Sequence, residues 1–410
     1  MPSLRCLLAT LLLAGCAAGP ATSNAPPDRE AAFSEWLEDF AAEARQAGVT
    51  AEVVDKAFGE ARYLPDVIER DRHQPEFTRA IWDYLDSAVS KTRAETGRQM
   101  LAEHAEAIDA ADKRYGVPGK VLVAIWGIES NFGRNFGDTA TIDALATLAF
   151  EGRRQSFAER ELLAALKILA DGDIARQKMR GSWAGAMGHT QFLPTSFRAY
   201  AVDADGDTRR DIWGSIPDVM ASTANYLAEA GWRSDEGWGV ELRLPEDFDY
   251  RDADRGERRD SAQWQEAGLR TAAGGTLPAM ENARVLLPAG AEGPAFLVGK
   301  NFDAILRYNN ATSYALAVGL LADRIDGGDG IGDPWPREQE ALSRDEIETM
   351  QRLLNARGFD VGKPDGLAGP RTRSGLREFQ ASIGAVPDAF PTQELLDTLQ
   401  KTDRATESKP

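Results

Sequence analysis

The chain has 410 residues, of which 43% are hydrophobic, and a formal net charge of −18 at neutral pH. This length exceeds the usual size of one compact domain, so more than one domain is expected. The negative charge argues against a nucleic-acid-binding protein, because phosphate backbones require clustered Lys and Arg. The two cysteines, Cys6 and Cys16, lie near the N-terminus, and the three histidines show no metal-ligand spacing. The body of the chain therefore has neither a disulfide framework nor a His- or Cys-ligated zinc site.

The N-terminus carries the features of a lipoprotein signal peptide. Arg5 precedes an apolar run at 7–13, which is too short to span a bilayer, and small residues then lead to Cys16. This pattern resembles a bacterial lipobox, in which the cysteine is lipidated; the alternative is an ordinary signal peptide that contains a cysteine. We expect residues 1–15 to be removed and Cys16 to anchor the chain on the periplasmic side of the envelope. Ala17, rather than Asp, after the cysteine favours the outer membrane of a Gram-negative bacterium, by analogy with known sorting signals.

The composition predicts a tether followed by a mainly helical body. Residues 16–32 are rich in Ala, Pro and Ser and read as a flexible tether. Apolar residues then recur at three- and four-residue spacing, which predicts helices. The predicted helices are 33–47, 50–60, 75–90, 97–114, 117–132, 157–171, 215–230, 302–307 and 314–325. Frequent Gly, Pro and Asp between 232 and 300, with short apolar runs at 240–244 and 296–298, predict a small β-containing lobe. The fold class is therefore mainly α, of the α+β type.

A buried helix that ends in a glutamate is the most informative segment. Pro118 suits the first turn of this helix and Gly133 suits its end. The residues between them are apolar on nearly all sides, so the helix is expected to be buried. Burial and the negative end of the helix dipole both disfavour ionisation of Glu129, which makes it a candidate general acid. On this segment alone, a buried glutamate satisfied by a salt bridge or hydrogen bonds is an equally good interpretation.

Four motifs in chain order resemble those of the membrane-bound lytic murein transglycosylase B family. They are PEFTRAIWDYL (75–85), ESNFG (129–133), GAMGHTQFLPTS (185–196) and RYN (307–309), the last followed by Tyr314. The resemblance implies a lysozyme-like catalytic domain, to which we assign residues 33–326. It also implies cleavage of the β-1,4 bond between N-acetylmuramic acid and N-acetylglucosamine in peptidoglycan glycan strands, which leaves 1,6-anhydromuramic acid ends.

The resemblance implies roles for individual residues. Glu129 is expected to act as both acid and base, without a catalytic cofactor. The residues expected to line the substrate cleft are Tyr84, Ser182, Gln191, Phe192, Tyr308 and Asn309. Arg153 and Arg154 are expected to bind acidic groups of the substrate, where an acidic protein needs local positive charge. Tyr84 would suit a core position equally well, and the arginine pair would also suit a solvated helix end.

Two other functions remain open from the sequence. A muramidase-type hydrolase would use a second carboxylate, and Asp138 or Glu151 could supply it. A non-catalytic cell-wall-binding lipoprotein would keep the cleft without activity, but the presence of Glu129, Gln191 and Asn309 together argues against such a loss. No motif identifies a partner protein in cell-wall synthesis or division.

An acidic loop predicts a structural calcium site. Carboxylates occupy positions one, three, five and nine of an EF-hand-like count, at Asp203, Asp205, Asp207 and Asp211. The count departs from an EF-hand at position six, which is Thr208, and at position twelve, which is Gly214; Asp218 is the next acid that could close the site. The alternative is a polar loop neutralised by Arg209 and Arg210.

The C-terminal residues predict a separate small module. GGDGIGDPWP begins a linker at 327–342, and a capping box at Ser343 starts a helix. The order of apolar residues and glycines over 343–400 resembles the three-helix peptidoglycan-binding module of cell-wall enzymes; a generic helical interaction domain is the alternative. Residues 401–410 are polar and are expected to be disordered.

Overall fold

The structure, a computed structural model, describes residues 27–72, 80–253 and 257–407. The predicted lipidation site Cys16 and the first part of the 75–85 motif lie outside these residues. The helices are α1 (Pro27–Gln46), α2 (Ala51–Phe58), α3 (Pro65–Arg72), α4 (Ile81–Ala88), α5 (Lys91–Glu103), α6 (Ala105–Tyr115), α7 (Gly119–Ser130), α8 (Thr141–Glu151), α9 (Gln155–Asp171), α10 (Pro194–Tyr200), α11 (Ile216–Glu229), α12 (Ser261–Glu266), α13 (Lys300–Tyr308), α14 (Thr312–Ile325), α15 (Arg344–Ala356), α16 (Pro370–Ser382) and α17 (Gln393–Glu407). The strands are β1 (Thr139–Ala140), β2 (Arg180–Gly181), β3 (Gly239–Arg243), β4 (Arg270–Thr271), β5 (Arg284–Leu286) and β6 (Ala295–Val298).

Helix α7 lies at the centre of the largest core. Its residues from Val121 to Gly127 are all buried, and α5, α6, α11 and α14 pack around it. Helix α14 is itself buried along most of its length, from Tyr314 to Ala322. Because both helices are apolar on nearly all sides, neither exposes a whole face to solvent, and each is surrounded by other helices. Within α7, the partly exposed residues are Gly119 and Lys120 at its start and Ile128 and Glu129 in its last turn.

A second group of helices covers one side of this core. Helices α8 and α9 pack against each other, and α1, α2, α3 and α10 pack around them. The short strands β1 and β2 pair antiparallel, with Thr139 opposite Gly181. This pairing brings the chain just after α7 beside the chain that leads into the 185–196 motif.

The predicted β-containing lobe is a four-stranded antiparallel sheet. Its strand order is β4-β3-β6-β5, with Val240 opposite Leu297 and Val285 opposite Leu297 on the other side. The lobe has its own hydrophobic core, in which Trp264 and Leu297 are fully buried. Strands β3 and β6 lie at the two predicted apolar runs, whereas β4 and β5 were not predicted.

The C-terminal residues form three helices around a separate core. Met350 and Leu354 of α15, Leu376 and Phe379 of α16, and Leu396 of α17 are buried against one another. The predicted capping box is confirmed, because the Ser343 hydroxyl accepts from the Glu346 N–H and the Glu346 carboxylate accepts from the Ser343 N–H.

Some boundaries differ from those predicted. Helix α1 begins at Pro27, inside the predicted tether, because Phe33, Leu37 and Phe40 on one face pack into the large core and draw the preceding turn into the helix. Helix α17 continues to Glu407, so most of the predicted disordered tail extends the last helix. The predicted helix 97–114 is two helices that meet at His104. Within the described ranges, no helix has the length and apolar character needed to cross a bilayer.

Candidate active site

Glu129 lies half-buried in the last turn of α7, at the point where this helix leaves the core. The hydroxyl of Tyr314, in α14, donates a hydrogen bond of 2.6 Å to Oε1 of Glu129. Burial raises the pKa of Glu129 to about 7, and the hydrogen bond from Tyr314 opposes this rise. A carboxyl group with this pKa exchanges its proton near neutral pH, as a group that acts in turn as acid and base must.

Three tyrosines surround this carboxyl group. The rings of Tyr308 and Tyr314 stack with centroids 6.5 Å apart, and Tyr308 donates a 2.7 Å hydrogen bond to the carbonyl oxygen of Thr190. Tyr84, in α4, is half-buried; burial raises its pKa, and the nearby negative charge of Glu129 adds to this rise. Burial and the negative charge of Glu129 also hold the pKa of Tyr308 and that of Tyr314 well above the ordinary value, so both tyrosines stay protonated and can donate hydrogen bonds.

The chain after α7 is held in an unusual conformation. Asn131 and Phe132 both have positive φ angles, of 50° and 59°, which non-glycine residues seldom adopt. Gly133 follows with φ of 76°, and a Cβ atom at this position would lie 2.3 Å from the ring of His189. Backbone strain of this kind concentrates at functional sites, where the surrounding structure maintains it.

Hydrogen bonds and ring stacking connect the 185–196 motif to the end of α7. Ser130 donates a 2.9 Å hydrogen bond to the carbonyl oxygen of His189, and its hydroxyl accepts from the N–H of Gly133. The imidazole of His189 stacks on Trp126 and accepts a 3.3 Å hydrogen bond from its indole N–H at Nδ1. Burial lowers the pKa of His189, which suits its role as a neutral acceptor. These contacts fix the loop that carries Gln191 relative to Glu129.

Gln191 and Ser182 line a cleft with a volume of about 350 Å³. Gln191 has a φ of 51°, and its side-chain amide donates to the carbonyl oxygens of Phe136 and Gly188, both at 2.9 Å. The Ser182 hydroxyl accepts from the N–H of Ala186. The other residues of the cleft wall are Arg70, Asn135, Phe136, Gly137, Asp138, Thr139, Gly181 and Trp183.

Several predicted cleft residues occupy other positions. Phe192 is 2% exposed, packs against Tyr308 and is not among the residues that line the described cleft. Asn309 is exposed at the end of α13, directly after Tyr308.

The two predicted arginines lie at the start of α9. Arg153 donates from its backbone N–H to the carboxylate of Asp71 at 2.8 Å, and its guanidinium lies 3.5 Å from the same carboxylate. The guanidinium of Arg154 lies over the ring of Phe157. Both side chains are exposed, and neither is among the residues that line the described cleft. Arg70, next to Asp71 in α3, is the arginine that lines it.

The sequence did not predict Arg70 or assign a role to Tyr314. The region of Arg70 lacked a helical pattern, and α3 was not predicted. Tyr314 was visible as part of the last motif, but a tyrosine in an apolar helix also suits a core position.

The acidic loop brings together only some of its predicted ligands. Carboxylate oxygens of Asp203, Asp205 and Asp218 lie within 4.8 Å of one another. Asp207 instead pairs with Arg209, and one oxygen of Asp211 accepts from the N–H groups of Trp213 and Gly214. These two predicted ligands therefore lie outside the cluster.

The cluster has features of a cation site. Asp218 is buried, and burial raises its pKa, as does the neighbouring charge of Asp205. Arg210 bonds to Asp173 and Asp171, and Arg209 bonds to Asp207. The charge of three adjacent carboxylates fits a divalent cation with oxygen ligands.

Comparison with known proteins identifies two families in this chain. Residues 32–323 match the transglycosylase SLT domain, and residues 343–399 match the putative peptidoglycan binding domain. Membrane-bound lytic murein transglycosylase B of Escherichia coli (strain K12) is 32% identical over 249 residues, which are 59% of this chain and 66% of that protein.

Solved structures show the same relationship. SltB3 of Pseudomonas aeruginosa, in complex with NAG-anhNAM-pentapeptide, superposes with a TM-score of 0.87 at 49% identity, over 90% of this chain and 99% of that one. The Escherichia coli lytic transglycosylase Slt35, in complex with calcium, gives a TM-score of 0.59 at 28% identity, over 72% of this chain and 93% of that one. The predicted family, the lysozyme-like fold with a C-terminal helical module, and the enzyme class are thereby confirmed. The chain belongs to the transglycosylase SLT domain family of peptidoglycan lytic transglycosylases, and it carries a peptidoglycan-binding domain at its C-terminal end.

Proposed function

We propose that this chain cleaves the β-1,4 bond between N-acetylmuramic acid and N-acetylglucosamine, with Glu129 as its single acid and base. The observation that carries this proposal is the half-buried Glu129 carboxyl, with a pKa of about 7 and one hydrogen bond from Tyr314. The complex of SltB3 with NAG-anhNAM-pentapeptide supports peptidoglycan as the substrate class and an anhydromuramic product.

In the first step, protonated Glu129 donates its proton to the bridging oxygen as the bond from this oxygen to C1 of the muramic acid breaks. The N-acetylglucosamine portion leaves as an alcohol, and C1 develops oxocarbenium character. In the second step, the C6 hydroxyl of the same muramic acid attacks C1 and gives its proton to Glu129. Since the nucleophile belongs to the same sugar, proximity favours ring closure over the attack of water.

The tyrosines tune both steps. Tyr314 stabilises the ionised form of Glu129 that exists between the steps, because a hydroxyl donor favours the charged carboxylate. Burial stabilises the protonated form that the first step needs. Gln191, Ser182, Tyr84, Tyr308 and Asn309 are proposed to bind the sugars around the bond, and Arg153 and Arg154 to bind acidic groups farther along the substrate.

A two-carboxylate hydrolase is the rival mechanism. The contacts of Glu151 argue against its use as the second catalytic carboxylate, because its two carboxylate oxygens accept hydrogen bonds from Tyr63 and Arg72, at 2.7 Å each. Asp138 is exposed and lines the cleft with Gln191, so it is the carboxylate to test.

Mass analysis of the products from purified sacculi tests the proposal. We expect muropeptides that end in 1,6-anhydromuramic acid, about 18 Da lighter than reducing ends. Glu129→Gln should abolish the formation of these anhydro-ended muropeptides. The matched variants Asp138→Asn and Glu151→Gln should still form them. Reducing ends as the main product, lost in Asp138→Asn, would establish the hydrolase instead.

We further propose that Asp203, Asp205 and Asp218 bind calcium as a structural ion. The convergence of their carboxylates and the calcium complex of Slt35 support this site. The loop lies between α10 and α11, so the ion would tie these helices together without contact with the reacting sugar.

We also propose that Cys16 carries a lipid that anchors the protein to the outer membrane, where it faces the periplasm. The lipobox-like sequence and the family's action on the peptidoglycan of Gram-negative envelopes support this location. The C-terminal module would then hold the enzyme on its polymeric substrate.

A further inference from the structure

Residues 331–337, which we call the docked segment, lie against the catalytic domain although their composition predicted a linker. The N–H groups of Gly332 and Asp333 donate to the two carboxylate oxygens of Glu241, at 2.7 and 2.9 Å. Trp335 is half-buried at the edge of the large core, with its ring centroid 6.2 Å from that of Trp82. Arg337 forms a bidentate pair with Asp86, with hydrogen bonds of 2.8 and 3.0 Å.

Ile331 of the docked segment packs against the large core, and the ring of Trp335 and the guanidinium of Arg337 both contact α4. Trp82 and Asp86 are four residues apart in this helix and therefore share one face. Tyr84 lies between them in sequence, about 200° around the helix from Trp82, and so points away from that face. Helix α4 also packs against α14, whose Tyr314 bonds to Glu129, and the charge of Glu129 adds to the raised pKa of Tyr84, so Tyr84 lies on the side of α4 that faces the site.

Helix α4 is held partly by the large core, in which its Leu85 and Ala88 are buried, and partly by contacts at its ends and along its body. The helix has eight residues, a length at which an isolated helix is marginal, so its packing determines its position. Its C-terminal end is held by Arg93, which donates to the carbonyl oxygen of Ala88, and by Arg324, which donates to that of Val89. Its N-cap, Ala80, provides no side-chain hydrogen bond. Along its body, α4 packs against α14, the helix of Tyr314, on one side and the docked segment on another.

We propose that the docked segment is part of the active-site scaffold, in which Trp335 and Arg337 are positioning residues that hold α4, and with it Tyr84, at Glu129. The segment leads directly into the peptidoglycan-binding module, which itself contacts the β-containing lobe where the Ala291 N–H donates to the carboxylate of Asp388. The connection between the two domains is thus a structural element of the catalytic site. This inference rests on the proposed function, because it assigns Tyr84 to that site.

Variants of the full-length chain test the proposal, with Arg337→Ala and Trp335→Ala as the main changes. The matched control is Arg45→Ala, because Arg45 forms a similarly exposed pair with Asp55, at 2.7 Å, between α1 and α2. Exposed ion pairs contribute little to global stability, so the melting temperatures of Arg337→Ala and Arg45→Ala should stay close to that of the parent, whereas loss of the half-buried Trp335 ring should lower that of Trp335→Ala. A small displacement near reacting groups is costly, so kcat on a soluble tetrasaccharide-pentapeptide should fall about tenfold in Arg337→Ala and Trp335→Ala.

Two further measurements separate positioning from a general structural role. Hydrogen exchange of residues 81–88 should be faster in Arg337→Ala and unchanged in Arg45→Ala. Reversing the pair, with Asp86→Arg and Arg337→Asp together, should restore most of the turnover that either change alone removes.

The proposal is overturned if kcat stays within about twofold of the parent in both variants, or if Arg45→Ala shows the same loss. It is also overturned if exchange in α4 rises while kcat is unchanged, since Tyr84 would then not depend on this support. A parent chain that does not cleave the fragment would contradict the proposed function instead, and the exchange measurement would still test the support of α4.

Discussion

Tyr314 donates its hydroxyl hydrogen to Glu129 across 185 residues of sequence, at a distance of 2.6 Å between the two oxygen atoms. The hydrogen bond favours the ionised carboxylate, whereas burial favours the protonated form. The pKa of about 7 is the balance of these two effects. A group that must give a proton and then take one back requires such a balance, and the pair provides it without a second carboxylate.

Replacement of Tyr314 by Phe should raise the pKa of Glu129 further and slow the reaction. The variant loses the donor that stabilises the carboxylate, while the buried ring remains. Hydrogen bonds to charged groups contribute about 1.5–3 kcal/mol, so kcat should fall about ten- to a hundredfold. The alkaline limb of the pH profile of kcat/KM should move to higher pH, because Glu129 stays protonated over a wider range.

Tyr226→Phe is the matched control for this change. Tyr226 lies in the same aromatic cluster, with its ring centroid 4.7 Å from that of Tyr308, but its hydroxyl donates to the carbonyl oxygen of Arg307. Its pH profile should resemble that of the parent. A Tyr314→Phe profile that moves to lower pH, or does not move, would contradict the assigned hydrogen bond.

Replacement of Glu129 by Gln should stabilise the protein at alkaline pH. The pKa of Glu129 is about 7 in the folded chain against an ordinary 4.5, so below pH 4.5 the carboxyl is protonated in both states and costs nothing. As the pH rises from 4.5 to 7, the unfolded chain ionises first and the folded state loses stability, by about 3 kcal/mol in total. Chemical unfolding at pH 4.5, 6 and 8 should show a stability gain of Glu129→Gln that increases with pH. A gain independent of pH would show that the side-chain shape, rather than the charge, is responsible.

The position of the acid was predictable from the sequence, but much of its surroundings was not. Helix α7 is apolar on all sides, so its burial and the isolation of Glu129 followed from the pattern alone. The hydroxyl that bonds to Glu129 comes from a distant helix whose own pattern predicts only a core. The order of the motifs indicated that Tyr314 belongs to the site, but it could not predict the hydrogen bond from Tyr314 to Glu129.

The differences between the predicted sites and the observed positions of their residues have physical causes. The count of acidic residues at alternate positions could not show that Arg209 binds Asp207 while the buried Asp218 turns toward Asp203. Glycine and proline content correctly predicted an absence of regular structure in 327–342, but composition does not tell a free linker from one held by Trp335.

Chelation should lower the melting temperature of the parent, and added calcium should restore it. A ligand that prefers the folded state stabilises it by mass action. Asp218→Asn, within the carboxylate cluster, should remove this response. Asp207→Asn should keep it, because the structure pairs Asp207 with Arg209 outside the cluster. Equal melting curves of the parent in chelator and in calcium would contradict the proposed site. Loss of the response in Asp207→Asn would show that Asp207 is also a ligand, as the sequence predicted.

Cys16→Ala should release the protein from the membrane fraction while its activity on soluble fragments is retained. The cysteine ends an apolar run followed by small residues, and a lipid on this side chain would be the anchor. Fractionation of cells that express parent and variant, followed by an activity assay on each fraction, checks both parts. Cys6→Ala is the matched control and should leave the protein in the membrane fraction. A Cys16→Ala variant that remains membrane-bound would refute the anchor.

Deletion of residues 340–410 should weaken binding to intact sacculi much more than turnover of soluble fragments. The deleted helices α15, α16 and α17 have their own core, around Met350 and Leu354, so the catalytic core does not depend on them. The truncation keeps Trp335 and Arg337, and with them the contacts to α4. Loss of the module removes the tethering that raises the local concentration of enzyme on a polymeric substrate, an effect that a short soluble substrate does not require.

A longer deletion, of residues 331–410, separates tethering from support of the site. It removes the docked segment as well, so turnover of the soluble fragment should now fall too, by about tenfold if the displacement of α4 has the expected effect. Binding to sacculi, measured by sedimentation, should be equally weak in both truncations, because both lack the module. If the shorter deletion already lowers turnover of the soluble fragment as much as it lowers binding to sacculi, the module supports the catalytic fold directly. The Ala291–Asp388 contact would then be the part of the interface to examine.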